Sequence, residues 1–339
     1  MTFVSASTGF VIGVDSSCPA TSCVALARTR DGGATWTSLP GPPAAYAGRI
    51  GQATAGPGVS EVRFADALNG WIFGPALFAT HDGGATWQAV PVNGSVLSLE
   101  TSSGYVDAVI SPCAAGQDCR GSARLEQAPV ASGNFAVVLS GVAMNAFPAG
   151  AAVLALHAPV GFVNLDPNVV PASPLHATTA LAHPDSWHPF PNPCSVTAGY
   201  QLTAFAAPDT TRLFTLCSGS GAAGSMLKSV VETENGSSRA VGTPPMAGDS
   251  GTIAAASAST VVVSAVSAGS WLYRSTDGGR TWVTAADFHD GGTGFSDLGF
   301  TTATQGVVIH GFAGPPANPP TQLLITHDGG ATWKVVPIG

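Results

Sequence analysis

The chain has 339 residues, of which only 9% are charged, and a formal net charge of −8. Two lysines (Lys228 and Lys334) and singly scattered arginines make no basic stripe for a phosphate backbone, so nucleic acid is not an expected partner. With 42 glycines and 26 prolines the chain is too interrupted for long helices. It is also too rich in Val and Phe for disorder, which leaves many short strands joined by turns.

The amino terminus, MTFVSASTGF, lacks the cationic region and cleavage site of a signal peptide. It reads as strand, turn, strand, with an export signal expected outside this numbering. Phe3-x5-Gly9 leads into FVIGV; a Ser/Pro loop holding Cys18 and Cys23 follows, then the strand CVALART and the phrase TRDGGATW, with Asp31 and Trp36. A Gly/Pro/Ala-rich connection, LPGPPAAYAGRIGQATAGPGV, carries Tyr46 and Arg49. The pattern then restarts as Phe64-x5-Gly70-Trp71, ALFAT and THDGGATW, with Asp82 and Trp87.

Between about 95 and 250 the phrase degenerates. ASGNFAVV around Phe135 stands where GGATWQAV stood, beyond a loop holding Cys113 and Cys119. AHPDSWHPFP places Trp187 two periods after Trp87, and Cys194 and Cys217 follow. TENGSSRAV keeps the opening of the phrase but has Ala240 in place of the tryptophan. The clear form returns as STDGGRTW (Asp277, Trp282), then DFHDGG (Asp287, His289, Asp290), Phe300-x5-Gly306, QLLIT and THDGGATW (Asp328, Trp333).

Trp36 and Trp87 lie 51 residues apart, as do Trp282 and Trp333, a period typical of propeller repeats. Seven repeats of four strands fill the chain, predicting an all-β, seven-bladed β-propeller with four-stranded antiparallel blades, as one domain over 1–339. Blades are expected at about 1–40, 60–91, 95–139, 140–192, 198–243, 251–286 and 295–337.

In S/T-x-D-G-G-x-T-W the carboxylate can accept from backbone N–H groups two or three residues on, and the glycines permit positive φ. The Ser/Thr hydroxyls are expected to bridge the two strands, and the tryptophan to fill space between blades. The four aspartates are thus read as turn staples. A calcium loop would need alternating acids and a closing Glu, and a glycosidase would need two carboxylates about 5–10 Å apart.

Elsewhere the chemistry is sparse. His183, Asp185 and His188 could ligate a metal but flank a degenerate turn, and Asp287, His289 and Asp290 could sit together in a surface loop. No nucleophile triad can be assembled from sequence neighbours. The six cysteines, in the pairs 18/23, 113/119 and 194/217, lack C-x-x-C spacing. They favour local disulfides over zinc and hence a secreted or periplasmic location. No apolar run approaches the roughly 20 residues of a membrane span.

S/T-x-D-x-G-x-T-W is the Asp-box, or BNR repeat, and the chain resembles Asp-box propellers of the photosystem II stability/assembly factor, sortilin and xyloglucanase types. The resemblance implies the fold; its members include enzymes, receptors and assembly factors alike. The composition points to a bacterial source. An exported, non-catalytic module or scaffold for a protein or glycan is the expected function. The alternatives are a glycoside hydrolase-related protein and an assembly factor for a larger complex. No cofactor or metal is expected. The long loops of the first and last repeats, with Tyr46 and Arg49 beside them, and the group Asp287, His289 and Asp290, are the expected binding positions.

Overall fold

The computed structural model describes residues 1–14, 23–47, 58–113, 121–144, 152–165, 175–181, 186–311 and 321–338. These form seven four-stranded antiparallel sheets, each a meander in chain order, which is a seven-bladed β-propeller. The sheets span 2–39, 61–89, 95–144, 152–190, 201–242, 249–288 and 295–336. The only helical element among the described residues is a single 3-10 turn, Pro193–Val196. By contact density the chain divides into two compact units, one of residues 1–190 with 338–339 and one of residues 191–337.

In the first unit the cores lie between successive sheets. Phe10, Ile12 and Leu26 of the first meet Val62, Phe64 and Ile72 of the second. Trp71 and Phe73 meet Val96, Leu99 and Ile110, and Leu125 and Val142 meet Val163, Leu165 and Trp187. The second unit repeats the scheme, with Phe214, Leu216 and Val230 against Ile253, Val261 and Val263. Val262 and Leu272 then pack against Val308 and Leu324. Alternation along a strand therefore serves two neighbours, and the middle strands are apolar on both faces.

The repeated phrase folds identically at its four sites. Thr29 Oγ1 donates to Asp31 Oδ1 at 2.8 Å and accepts from Gly33 N at 2.8 Å. The same carboxylate accepts from Thr35 N at 2.8 Å and Thr35 Oγ1 at 2.6 Å. Asp82, Asp277 and Asp328 make the equivalent bonds. One expectation changes: the hydroxyls serve the carboxylate rather than bridging strands. The backbone group three residues on does bond each carboxylate, and a second backbone donor lies four residues on, beyond two consecutive left-handed glycines. The first glycine then donates to the sheet's other turn: Gly32 N to Ser7 O, Gly83 N to Leu68 O, Gly278 N to Ser259 O and Gly329 N to Thr304 O, at 2.8–2.9 Å.

The second signature, Phe-x5-Gly, belongs to the same device. Phe3 pairs with Gly9, Phe64 with Gly70 and Phe300 with Gly306 across the first hairpin. Each ring lies so flat on the glycine that a Cβ there would fall 2.4–2.6 Å from it. The same ring meets the edge of the closing tryptophan, with centroids 6.2 Å apart for Phe3–Trp36 and Phe64–Trp87 and 6.3 Å for Phe300–Trp333. Trp87 further donates to Pro40 O of the preceding sheet, and Trp282 and Trp333 pack against the sheets before theirs.

The degenerate copies diverge. At 233–238 the turn is a two-residue hairpin with Asn235 and Gly236 at positive φ, and Ala240 is exposed on the outer strand. Trp187 is buried in the first unit, while residues 182–185, including His183 and Asp185, lie outside those described. The third sheet runs on through Ala136–Met144, past the expected end at 139. A bulge at Gly141, which has positive φ, lets that outer strand continue. Cys194 and Cys217 form a disulfide with Cα atoms 5.6 Å apart. Cys23 and Cys113 are each disulfide-bonded too, and Cys18 and Cys119 lie outside the described residues.

Two predictions follow from this frame. Gly70→Ala should cost about 1–3 kcal/mol in urea unfolding, by overpacking a ring held from several sides. Gly13→Ala, with nothing within 4 Å of the added methyl, should be neutral or slightly stabilising. The second prediction concerns acid. The Thr35 hydroxyl and N–H hold the Asp31 carboxyl down to about 2, Thr86 does the same for Asp82, and Thr281 lowers Asp277. At Asp328 burial opposes the shift, but the Thr332 bonds outweigh it and leave about 2. Carboxylates held low give stability that is complete above their ordinary value and lost as pH falls through the folded one. The Tm should therefore hold down to about pH 4 and fall between about pH 4 and 2, measured by scanning fluorimetry.

Candidate functional site

Strand direction gives every blade two ends. The first hairpin and the repeated turn lie at one; the second hairpin and the links between blades lie at the other. In the second unit those links are 243–248 and 289–294, and the expected residues Asp287, His289 and Asp290 belong to this connection end.

The link TPPMAG has, after its first residue, two consecutive prolines, which supply no N–H, and it runs beside the long hairpin of Arg212–Ala222 and Ser225–Glu234. Gly248 N donates to Gly224 O and Met226 N to Met246 O, each at 3.0 Å. Beneath this crossing Lys228 is 1% exposed. Its ammonium donates to Gly248 O at 2.6 Å, to Met226 O and Met246 O at 3.0 Å, and to Ala247 O at 3.3 Å. Burial pushes Lys228 down to about 8, with the Asp249 charge working the other way, so the side chain stays protonated at neutral pH. Tyr273 Oη donates to Ala247 O from the next blade at 3.0 Å, and burial, aided by Asp287, raises its phenol to about 12. Lys228 thus spends its charge on backbone dipoles, an arrangement that fixes a link otherwise short of donors.

The second link is fixed by Asp290, which sequence reasoning placed on the surface with Asp287 and His289. Its carboxylate instead turns inward. Oδ2 accepts from Ser270 Oγ at 2.7 Å and meets His310 Nε2 at 2.5 Å, while Oδ1 accepts from Gly292 N at 2.9 Å. Ser270 Oγ also accepts from Gly294 N at 2.7 Å, and Phe288 and Phe295 flank the imidazole with centroids 4.4 and 5.1 Å away. Burial opposes ionisation of Asp290, but the Ser270 and His310 bonds overcome it and hold the carboxyl at about 2. Serine, histidine and aspartate are therefore together without forming a relay. Serine and histidine both bond the carboxylate, no serine–histidine bond exists, and Ser270 is fully buried. The arrangement is a clasp between the last two blades.

Asp287 and His289 remain outside, the first half-exposed and the second 88% exposed, with Nδ1 3.9 Å from Asp287 Oδ1. Asp287 pairs across strands with Trp271, so both side chains stand on one face. The partly buried indole lies against backbone, since a Cβ at Gly248 or at Gly269 would fall 3.0 Å from it. Met246 and Leu227, 53% and 37% exposed, and the exposed Asp249 complete this surface.

In the first unit Tyr46 is half-buried against the core of the first two blades and bridges Val59; Arg49 lies outside the described residues, as do the expected loops 15–22 and 312–320. Sequence reasoning also passed over Asp107, fully buried in the third blade. Burial raises its carboxyl to about 7, and Gln127 Nε2 counters by donating to both oxygens while reaching Leu181 O of the fourth blade. Ser270, His310, Lys228 and Asp107 stand in runs of strand pattern, and only their polarity at apolar positions marks them. Among the described residues no three His, Cys, Asp or Glu side chains are placed to hold a metal.

No protein-family model and no curated protein matches the sequence. Solved structures do match in fold. YCF48 bound to D1 peptide superposes over 96% of this chain and 91% of its own, at 16% identity and a TM-score of 0.63. YCF48 from Cyanidioschyzon merolae covers 95% and 91%, at 14% identity and a TM-score of 0.58. An ancestral GH74 enzyme matches 98% of this chain but only 47% of its own, at 12% identity and a TM-score of 0.54. At these identities the likeness concerns the propeller fold.

If the two polar pins hold the connection end, removing either should unfold it locally. Lys228→Met, close in volume, should cost about 2–3 kcal/mol by leaving buried carbonyls without a donor. Asp290→Ala should cost a similar amount by stranding Ser270 and His310. Urea unfolding read by tryptophan fluorescence, together with faster hydrogen exchange over 243–248 and 289–294, measures both.

Proposed function

We propose that the chain is an exported, non-catalytic propeller that binds a protein segment at the connection end of its second unit. The observation carrying this reading is a division of labour there. The polar groups that could do chemistry, Lys228 and the Ser270–Asp290–His310 cluster, are buried and committed to internal bonds. Met246, Leu227, Asp249 and Asp287 are presented outward on the backbone those bonds fix, with Trp271 partly exposed among them. A rigid surface with apolar anchors and a polar rim suits a peptide, because little ordering is required on binding. The fold likeness to a propeller that itself holds a peptide supports the same reading.

Export is supported by the disulfide chemistry of Cys194–Cys217, Cys23 and Cys113. No helix among the described residues is long and apolar enough to cross a membrane.

A photoreactive residue placed at exposed Ala247 should cross-link one protein in an extract of the native source, and Leu227→Ser with Met246→Ser should reduce that product about tenfold. Equal cross-linking by the variant and the parent chain would overturn the assignment of the surface.

A further inference from the structure

The charges of the second unit are sorted by end. Its basic residues are Arg212, Lys228, Arg239, Arg274, Arg280 and Lys334. Arg212 pairs with Asp209, Glu232 and Glu234, and Arg239 with Glu232, about the first hairpin of the fifth blade and its Asn235–Gly236 turn. Arg274 donates to Gly329 O and Arg280 to Asp277 O, both in repeated turns, and Lys334 follows the last such turn. Among the described residues of the second unit, Lys228 is the one lysine or arginine at the connection end, and it is buried with its protons committed to four carbonyls. The exposed charges left there are the carboxylates of Asp249 and Asp287.

One of those carboxylates neighbours an aromatic side chain, and the other belongs to the residue after the glycine on which that side chain packs. Asp287 is the cross-strand neighbour of Trp271, and Asp249 follows Gly248, against whose backbone the indole lies. Both charges act inward as well, Asp249 on Lys228 and Asp287 on Tyr273, which places them around the same link. An indole beside one carboxylate, on a link that carries a second, has a negative ring face and negative surroundings, a setting that attracts a cation and repels an anion. Met246 and Leu227 beside it offer contact for the methylene stem that carries such a charge.

We infer that the segment bound at the connection end is cationic, with a lysine or arginine side chain lying on Trp271 and its charge held by Asp249 and Asp287. The inference rests on the docking reading above and adds the chemistry of the partner. Charge complementarity selects the occupant: an acidic segment would meet uncompensated carboxylates, and a neutral one would leave both unpaired.

The test uses the full chain and three fluorescein-labelled Gly/Ser decapeptides, carrying four arginines, four glutamates or no charge, with anisotropy read at low and moderate salt. The arginine peptide should bind, and binding should weaken as salt rises. Asp249→Asn with Asp287→Asn should weaken it about tenfold, Trp271→Ala about fivefold, and Asp287→Glu hardly at all. Because both aspartates are exposed, the double Asn variant should fold normally, which keeps the test valid if Trp271→Ala does not. Equal binding of the three peptides, or of the arginine peptide to the parent chain and the double Asn variant, would overturn the inference. If Leu227→Ser with Met246→Ser lost the cross-linked partner while the double Asn variant kept it and no peptide bound, the cationic assignment alone would fall. If neither double variant changed the cross-link, the docking reading would fall with it.

Discussion

The structure depends on one contact repeated around the chain: a phenylalanine ring lying on a glycine across the first hairpin, with the edge of a tryptophan against it. In the three complete copies the ring pairs in register with the glycine, and the tryptophan arrives from the other end of the same blade's sequence. The contact ties the innermost hairpin of a blade to its outermost strand. The Asp turn sets the tryptophan's direction, since its glycines and carboxylate fix where the last strand begins. A Cβ on the glycine would lift the ring, and loss of the carboxylate would free the turn, so the two signatures are one mechanical unit.

Where that unit is missing, other devices hold the blades. The third blade relies on a buried Asp107–Gln127 pair reaching the fourth, and the fifth on a disulfide, an ion-pair network and the caged Lys228. The Asp107–Gln127 pair and Lys228 replace apolar staple contacts with buried polar bonds, and a buried donor or acceptor left alone costs more than the bond contributes. These blades also have the longer hairpins, and their elaboration falls at the connection end, away from the repeated turns.

That asymmetry locates function. In the second unit the turn end is committed to stapling, and its arginines are engaged by carboxylates and carbonyls. At the connection end the buried groups hold the backbone still, and apart from the exposed His289 the groups left outward are apolar or acidic. Ser270, His310 and Asp290 show why residue identity alone misleads: the three side chains of a familiar hydrolytic set are adjacent, yet both partners bond one carboxylate and the serine is sealed from solvent.

The sequence by itself determined the repeat and the strand order, because a 51-residue period and a turn needing two left-handed glycines leave marks that no packing detail can erase. It also marked DFHDGG as unusual, but it could not say that Asp290 turns inward while Asp287 and His289 stay outside. That choice rests on His310, twenty residues away in sequence, and on Ser270 in the neighbouring strand. The boundary of the third blade, the burial of Tyr46 and the capture of Lys228 by four carbonyls were likewise decided by tertiary structure. Each depends on which backbone groups are brought within about 3 Å of a side chain, and local sequence does not encode that meeting.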